Sequence, residues 1–350
     1  MPDGANTLGS AGIVRGMDTI DPQSRRVARA LLDHDGPYVV VAHVDPDGDA
    51  VGSVLTLARA LRRLGREVIT PMTPPPRFLR FLTEEGELVE PLAERPPRAL
   101  VVVVDSDPAR SSGVPTGGGP VVNIDHHGTN PGASEVAWID PSYASASMMV
   151  ADVVDALGVD WDAHLATPCL AGLMTDTGHF RFGNTDRRAL QAAGRLIDAG
   201  VAYTELSDRL QWRHPDFFRM LALVMGSVRF RLGGEVVLAD QTLAMRASLG
   251  ESEDDSDDYV GLLRYAEGTR VAAILKERDG AVKLSVRSRG GASARRICVA
   301  LGGGGHDAAA GATLTGIDLA EAERRLLATV EAELRSVEAG TAGGTRAAAP

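Results

Sequence analysis

Short apolar segments alternate with helical patterns through the first half of the chain. The apolar segments are Tyr38–Ala42, Leu100–Val104 and Val121–Ile124. Continuous runs of this kind are typical of strands buried on both faces. Apolar residues recur at helical spacing in the stretches between and after them, which predicts helices at Gly52–Leu64, Ala144–Leu157 and Trp161–Met174. Such alternation predicts an α/β domain built on a parallel sheet that is covered on both faces.

The second half has a different pattern, which predicts a smaller α/β domain with a mixed sheet. Strands are predicted at Val236–Asp240, Val271–Lys276 and Val282–Arg287. Asp279-Gly280, between the last two, indicates a hairpin turn. Helices are predicted over 293–301 and 318–336. The predicted organisation is a flexible tail (1–20), a catalytic domain (21–200), a helical connector (201–228), a substrate-binding domain (229–336) and a disordered tail (337–350).

Polar side chains follow the apolar segments of the first half, where each segment ends. The first segment leads into His43, Asp47 and Asp49, the second into Asp105, and the third into Asp125-His126-His127. Ligands of open parallel sheets bind outside the carboxyl ends of the strands, so we expect these groups to lie close together. Asp176, which follows the helix at 161–174, can join them if that helix packs nearby.

The charge of such a cluster points to metal ions. Asp47, Asp49, Asp105 and Asp176 would repel one another unless two divalent cations brought their sum to zero. Imidazole and carboxylate ligands without thiolate suit Mn²⁺, Co²⁺ or Zn²⁺ better than Ca²⁺. A pair of ions is a device for in-line phosphoryl displacement, and Asp105 is best placed to bridge them. Taken one at a time, these residues have simpler explanations, since Asp-Pro-Asp-Gly is a turn sequence and aspartates cap helices.

The whole pattern resembles the four motifs of the DHH phosphoesterase superfamily. The motif residues are His43-x-x-Pro-Asp-Gly-Asp-x-x-Gly-Ser53, Asp105, Asp125-His126-His127 and Asp176. The resemblance implies that one ion is held by His43, Asp47 and Asp105. It implies that the other is held by Asp49, Asp105, His126 and Asp176. His127 would then contact the scissile phosphate, and Asp125 would orient these groups, so that His127, Asp105 and Asp125 form the catalytic set. Asp45 and Asp107 are left as turn or supporting residues.

A glycine-rich segment of the second half indicates an anion site. Gly302–Gly305 precede His306, and Arg287-Ser288 lie upstream on a predicted strand. Glycines let backbone N–H groups form an anion-binding concavity, and a helix starting near His306 would add its positive end. The segment resembles the DHHA1 substrate domain. The resemblance implies that nucleotide or terminal phosphate is bound by Arg287, Ser288, Gly304, Gly305 and His306; a flexible loop is the alternative.

The resemblance is greatest to stand-alone oligoribonuclease and pAp phosphatase members, some of whose relatives cleave cyclic di-AMP. It implies two Mn²⁺ ions and, as substrates, short RNA, dinucleotides and pAp, with no duplex DNA and with the homodimer as a common assembly. A RecJ-like exonuclease and a non-catalytic nucleotide-binding module are the alternatives. The net charge of −11 excludes a uniformly basic nucleic-acid-coating surface and says little about the substrate.

The remaining composition bears on compartment. Two cysteines cannot form a Cys₄ zinc site or a disulfide framework, so a reducing compartment is expected. No run of about 18 apolar residues exists, which predicts no membrane span, and no signal peptide pattern is present. We therefore expect a cytoplasmic protein. The acidic run at 251–258 is expected to be a solvated loop, and the order of preference among the substrates is left open.

Overall fold

The chain divides into two units, with the break after Trp212. The computed structural model describes residues 21–249 and 258–344. The tail predicted at 1–20 and nearly all of the acidic run at 251–258 therefore lie outside the described residues. Within them, no helix is both long and apolar enough to cross a membrane.

The first unit contains the predicted parallel sheet. Its strands are β1 (Tyr38–Val41), β2 (Val68–Ile69), β3 (Leu100–Val104), β4 (Val121–Asp125) and β5 (Val136–Ile139). They lie in the order β2-β1-β3-β4-β5, and every neighbouring pair is parallel. The three predicted strands are confirmed, whereas the short strands β2 and β5 were not predicted. One face of the sheet packs on helices, and the other packs on residues such as Leu92 and Val114 from connecting segments.

Six α-helices lie in the described part of this unit, residues 21–212, and two of them approach each other closely. The helices are α1 (Pro22–Leu32), α2 (Gly48–Arg63), α3 (Ala146–Leu157), α4 (Ala163–Asp176), α5 (Arg187–Asp198) and α6 (Tyr203–Gln211). A Cβ atom on Gly52 of α2 would lie 2.4 Å from the carbonyl oxygen of Pro168 in α4. A Cβ atom on Gly48 would lie 2.2 Å from Oγ1 of Thr175. Because glycines remove these clashes, the end of α4 lies beside the beginning of α2.

The second unit has a mixed sheet, as predicted, and this sheet has six strands where the sequence predicts three. Its elements are α7 (Pro215–Gly226), β6 (Arg229–Arg231), β7 (Val236–Gln241), α8 (Leu243–Leu249), α9 (Asp258–Leu263), β8 (Val271–Arg278), β9 (Ala281–Ser288), α10 (Ala294–Ala300), β10 (Gly304–Gly305), β11 (Ala309–Thr315) and α11 (Leu319–Gly344). The order is β10-β11-β9-β8-β7-β6, and only β7 and β8 pair in parallel. The predicted hairpin at Asp279-Gly280 is confirmed, with Gly280 at a φ of 70°. Helices α10 and α11 cover one face, and α7 and α9 cover the other.

Two sequence-based expectations about this unit are wrong. No helix begins near His306, because residues 309–315 form β11 and pair with β9. The chain after Ser336 is not a disordered tail as far as Gly344, because α11 continues to that residue. Glu338 on this extension pairs with Arg270 at 3.6 Å, which helps to hold a stretch whose small residues suggested disorder.

The segment predicted as a connector is helical, but its helices pack into different units. Leu206 and Leu210 of α6 lie in the core of the first unit. Met220 and Val224 of α7 lie in a core of the second unit.

Candidate metal centre

The predicted ligands meet at the carboxyl ends of β1, β3 and β4. The strand order reverses between β1 and β3, because the chain moves from β1 outward to β2 and then returns to β3 on the other side. Clefts at such switch points are the usual binding sites of doubly wound sheets. His43 and Asp47 follow β1, Asp105 follows β3, and His126 follows β4. The sheet topology therefore brings together side chains that are up to 83 residues apart in sequence, from 43 to 126.

Asp105 lies at the middle of this cluster and faces two histidines. Its Oδ2 lies 3.5 Å from Nε2 of His43, and its Oδ1 lies 3.4 Å from Nε2 of His126. Nε2 of His43 is also 3.7 Å from Oδ1 of Asp47. One carboxylate thus presents a different oxygen to each side, which is the arrangement expected of a bridging ligand.

A second group of ligand atoms surrounds His126. Nε2 of His126 lies 3.6 Å from Oδ2 of Asp176 and 3.8 Å from Oδ2 of Asp49. Asp176 reaches the group because it is the last residue of α4, which packs against α2. Within each of two sets, the candidate ligand atoms all lie within 4.8 Å of one another; the sets are His43, Asp47, Asp105 and Asp49, His126, Asp176. The first set has the residues that the resemblance implies, the second lacks only Asp105, and a third group that meets the same distance is Asp105, His126 and His127.

The beginning of α3 holds Asp49 in place. The backbone N–H groups of Ala146 and Ser147 donate to the Asp49 carboxylate at 2.6 Å and 2.8 Å. These N–H groups are among the unpaired donors of a helix N-terminus and favour an anion. Gly172 of α4 leaves room for this contact, since a Cβ there would lie 3.0 Å from Oδ1 of Asp49 and 2.0 Å from Oγ of Ser147. Asp49 is only 1% exposed.

Protonation behaviour shows how strongly these groups interact. Burial lowers the pKa of His43, but hydrogen bonds and charge from Asp105 and Asp47 outweigh it and raise the pKa to about 10. Burial also lowers the pKa of His126, and Asp105, Asp176 and Asp49 together raise it to about 10. Burial and the charge of Asp105 raise the pKa of Asp49 to about 7. Without a metal ion, the negative charge of these carboxylates therefore favours extra protons on the histidines and on Asp49.

The surroundings and backbone conformation of Asp105 also fit a site for a divalent cation. Oδ1 of Asp105 is buried and accepts no hydrogen bond of good geometry among the described residues, although Nε2 of His126 and Nδ1 of His127 lie 3.4 Å and 3.5 Å away. A buried carboxylate oxygen without a donor is costly unless a cation meets it. Asp105 also has a left-handed backbone with a φ of 53°, a strained conformation outside glycine that persists where the surroundings require it. The donors are carboxylate oxygens and imidazole nitrogens, which suit Mn²⁺, Co²⁺ or Zn²⁺.

Asp125 and His127 form a hydrogen-bonded pair beside the cluster. Nδ1 of His127 lies 2.7 Å from Oδ1 of Asp125 and 3.5 Å from Oδ1 of Asp105. Sequence reasoning missed Asn130, whose Nδ2 donates to Oδ2 of Asp125 at 2.7 Å and to Oδ1 of Asn123 at 2.9 Å. Its position three residues after His127 is a signal that could have found it, since asparagines in such turns bond to nearby polar groups.

The remaining predicted supporting acids lie outside the two ligand sets. Asp107 caps a turn by accepting the N–H of Ala109 at 2.9 Å.

Asn184 is a second residue that the sequence analysis did not predict. Its Nδ2 donates to the backbone carbonyls of Ala144 and Asp176.

The predicted substrate residues of the second unit cluster around the β10–β11 hairpin. Arg287 pairs across the sheet with Ala309, and the N–H of His306 donates to the Ala309 carbonyl at 2.7 Å. Ser288 is used within the fold, because its hydroxyl donates to the carbonyl of Asp307 at 2.6 Å and accepts the N–H of Ala294 at 2.9 Å. The backbones of Arg287 and His306 therefore both lie beside Ala309, and Ser288 has a supporting position.

The glycines of this hairpin serve close packing. A Cβ on Gly303 would lie 2.1 Å from the carbonyl oxygen of Gly311, and one on Gly305 would lie 2.6 Å from Cα of Ala310. The N–H groups of Gly302 and Gly303 donate to the carbonyls of Val299 and Cys298. These two N–H groups are occupied within the fold, so the expected anion concavity does not include them.

Comparison with known proteins agrees with this geometry. The chain matches the DHH family, N-terminal domain, over residues 37–175 and the DHHA1 domain over residues 240–336. The chain therefore belongs to the DHH family and carries both of these domains, which confirms the resemblance seen in the sequence.

Particular relatives are more informative. The chain is 50% identical over 311 residues to the bifunctional oligoribonuclease and PAP phosphatase NrnA of Thermus thermophilus, covering 89% of this chain and 94% of the relative. It is 24% identical over 319 residues to the cyclic-di-AMP phosphodiesterase GdpP of Geobacillus thermodenitrificans, covering 85% of this chain and 48% of that protein. The relatives are phosphoesterases, and this chain is a hydrolytic enzyme of their family.

Solved structures show the same fold. The crystal structure of an exopolyphosphatase-related protein from Bacteroides fragilis superimposes with a TM-score of 0.80 at 20% identity, covering 90% of this chain and 97% of that one.

Proposed function

We propose that this enzyme is a two-metal phosphodiesterase and phosphatase that hydrolyses short oligoribonucleotides and pAp to mononucleotides, with Mn²⁺ as its metal. The observation that carries the proposal is the position of Asp105 between two ligand sets, one oxygen toward each. The Thermus relative, whose name gives both activities, covers nearly the whole chain at 50% identity and supports this substrate class.

The residues of the centre form two sets of metal ligands and one group that would contact the substrate. His43, Asp47 and Asp105 would hold one ion, and Asp49, Asp105, His126 and Asp176 would hold the other. Bound there, the ions would supply an activated water and would stabilise charge on the phosphate. All of these side chains are neutral or anionic in their metal-binding state, so the ions would provide the positive charge that the centre lacks.

His127 would act on the phosphate. Its Nδ1 is bonded to Asp125, so contact with a phosphate oxygen would fall to Nε2. Burial lowers the pKa of His127, but the hydrogen bond and charge from Asp125 outweigh it and raise that pKa. A protonated imidazole would stabilise charge that develops on the phosphate oxygens in the transition state.

In the second unit, Arg287 and His306 would bind a phosphate or base of a nucleotide. A guanidinium forms two parallel hydrogen bonds with a phosphate, which suits a small ligand with a terminal phosphate. Cyclic di-AMP is a second candidate substrate, because the match to the cyclic-di-AMP phosphodiesterase covers 85% of this chain.

The test is a parallel assay of purified protein in Mn²⁺ with pApA, pAp, cyclic di-AMP and, as a negative control, pyrophosphate. We expect AMP from pApA and pAp. Asp105→Asn should lower kcat/KM by at least about 100-fold, because it removes a charge from both ligand sets. Asp107→Asn changes a neighbouring acid that caps a turn outside the sets, and should keep near-normal activity.

Two outcomes would contradict the proposal. Release of no AMP from any of the nucleotides, with nucleotide binding intact in Asp105→Asn, would favour a non-catalytic binding module. Progressive digestion of long single strands in preference to pApA would favour a RecJ-like exonuclease.

A further inference from the structure

One side chain outside the ligand sets connects two of the backbone segments that carry them. Nδ2 of Asn184 donates to the backbone carbonyl of Asp176 at 3.1 Å and to that of Ala144 at 3.0 Å. A carboxamide NH₂ group has two hydrogens, so the two bonds use both of them. Asn184 thereby ties the last residue of α4 to the segment that leads into α3.

The segment bound by Asn184, residues 143–145, supports the second ligand set from two sides. Nδ1 of His126 lies 3.4 Å from the carbonyl oxygen of Tyr143, which directs Nε2 toward the carboxylates. Ser145 caps α3 by accepting the N–H of Met148 at 3.1 Å. The first N–H groups of that helix hold the Asp49 carboxylate at 2.6 Å and 2.8 Å. A shift of this segment would therefore move His126 and Asp49 together.

The chain between Asp176 and Asn184 follows a strained turn that brings Asn184 back to the end of α4. Gly178, His179 and Phe180 are all left-handed, with φ of 56°, 57° and 62°. Two of these are not glycine, and such conformations persist where neighbouring structure requires them. Thr177 holds the turn, because its carbonyl accepts the N–H groups of Arg181 and Phe182 at 3.0 Å and 2.9 Å.

We propose that Asn184 is a positioning residue for the second ligand set, and that its carboxamide fixes the distance between Asp176 and the segment that holds His126 and Asp49. Asn184 is uncharged and bonds to the backbone carbonyl of Asp176, so it acts through geometry. Partners of this kind, one step removed from the ligands, set metal affinity in many metalloproteins. The inference rests on the metal centre of the proposed function.

The test is a titration of metal-free protein with Mn²⁺, followed by calorimetry and by the electron paramagnetic resonance signal of free Mn²⁺. Asn184→Leu keeps the branching and the number of heavy atoms of the side chain and removes both donors. We expect wild-type protein to bind two Mn²⁺ ions, and Asn184→Leu to bind one of them about tenfold more weakly while the other keeps its affinity. Asn184→Ser retains one donor and should lose less.

A matched control removes an equivalent carboxamide elsewhere. Nε2 of Gln211 donates to the carbonyl of Ser207 at 3.1 Å within α6, so Gln211→Leu should leave both affinities unchanged. Unchanged affinity at both sites in Asn184→Leu would overturn the inference. So would equal weakening of both sites with a lower unfolding temperature, because that would indicate a general structural role.

The readout separates this inference from the proposed function. Two bound Mn²⁺ ions with an Asn184 effect, but no hydrolysis of any nucleotide, would refute the function alone. Normal hydrolysis by the wild type, with unchanged Mn²⁺ affinities in Asn184→Leu, would refute the inference alone.

Discussion

Nδ1 of His127 lies 2.7 Å from Oδ1 of Asp125, and the other oxygen of Asp125 accepts from Asn130 at 2.7 Å. Both oxygens of the Asp125 carboxylate are therefore hydrogen-bonded, and the bond to Nδ1 fixes the orientation of the His127 ring. Asp125 is fully buried, so its charge acts on His127 with little screening by solvent.

Replacing Asp125 by asparagine should lower kcat while leaving the metal in place. The variant keeps the shape of the side chain but removes the charge that favours protonated His127. We expect kcat for pApA to fall by about 10- to 100-fold, with Mn²⁺ affinity unchanged. Asp140→Asn, which changes a half-buried acid directly after β5 and outside the ligand sets, is the control. Loss of Mn²⁺ binding in Asp125→Asn would instead show that His127 is a metal ligand.

A buried ion pair between Arg59 and Glu87 should set the acid stability of the first unit. Nε and Nη2 of Arg59 donate to the two carboxylate oxygens of Glu87 at 2.6 Å and 2.7 Å. Burial raises the pKa of Glu87, but the hydrogen bonds from Arg59 outweigh it and lower the pKa below its usual 4.5. A lowered folded-state pKa means that protonation favours unfolding.

The stabilising effect of Glu87 should therefore be complete above about pH 4.5 and should disappear as the pH falls through the lower folded-state value. Glu87→Gln should cost about 3 kcal/mol at neutral pH, because it leaves Arg59 buried without its counter-ion, and should flatten the acid limb. Glu84→Gln affects an exposed pair with His164 and should cost less than about 1 kcal/mol. Urea unfolding between pH 3 and 8 measures both, and an unchanged acid limb in Glu87→Gln would contradict the assignment.

Replacing Gly172 of α4 by alanine should disturb the metal centre, because the added methyl group would press on Ser147 and Asp49. In Gly172→Ala the Cβ would lie 2.0 Å from Oγ of Ser147 and 3.0 Å from Oδ1 of Asp49. We expect a loss of about 1–3 kcal/mol in the free energy of unfolding and weaker Mn²⁺ binding.

Gly194→Ala provides a control of opposite sign. A Cβ there meets nothing within 4 Å in helix α5, so the substitution should stabilise the protein by about 0.5–1 kcal/mol. Equal effects of the two alanines would show that the contact of α4 with Ser147 of α3 and Asp49 of α2 tolerates the extra volume.

Arg287 should affect substrate binding without affecting the metal. We expect Arg287→Ala to raise KM for pAp by about tenfold or more, as for the loss of a charge-assisted hydrogen bond, with Mn²⁺ affinity unchanged. Arg295→Ala, an exposed arginine on α10, should leave KM unchanged. An unchanged KM in Arg287→Ala would remove this residue from the proposed substrate site.

The strands that the sequence failed to predict are short or rich in small residues. β2 and β10 have two residues each, too few to show a periodicity. β11, Ala309–Thr315, carries alanine, glycine and threonine, and its preceding glycines suggested a loop and a helix start. Its strand conformation comes from pairing with β9, a partner more than twenty residues away, which no local pattern encodes.

The sequence by itself predicted the side chains of the candidate centre and most of its location. Apolar runs that end in His43, Asp105 and His126 specify parallel strands, and parallel strands bring their carboxyl ends to one edge. The local pattern left open whether Asp176 joins them, and the tertiary structure decided it, because that depends on α4 approaching α2 through Gly48, Gly52 and Gly172. It also decided which asparagines support the ligands, since Asn130 and Asn184 bond to groups whose positions are set by packing between distant elements. The positions of the three long buried strands follow from local pattern, whereas helix approach depends on side-chain volumes that meet only in the folded chain.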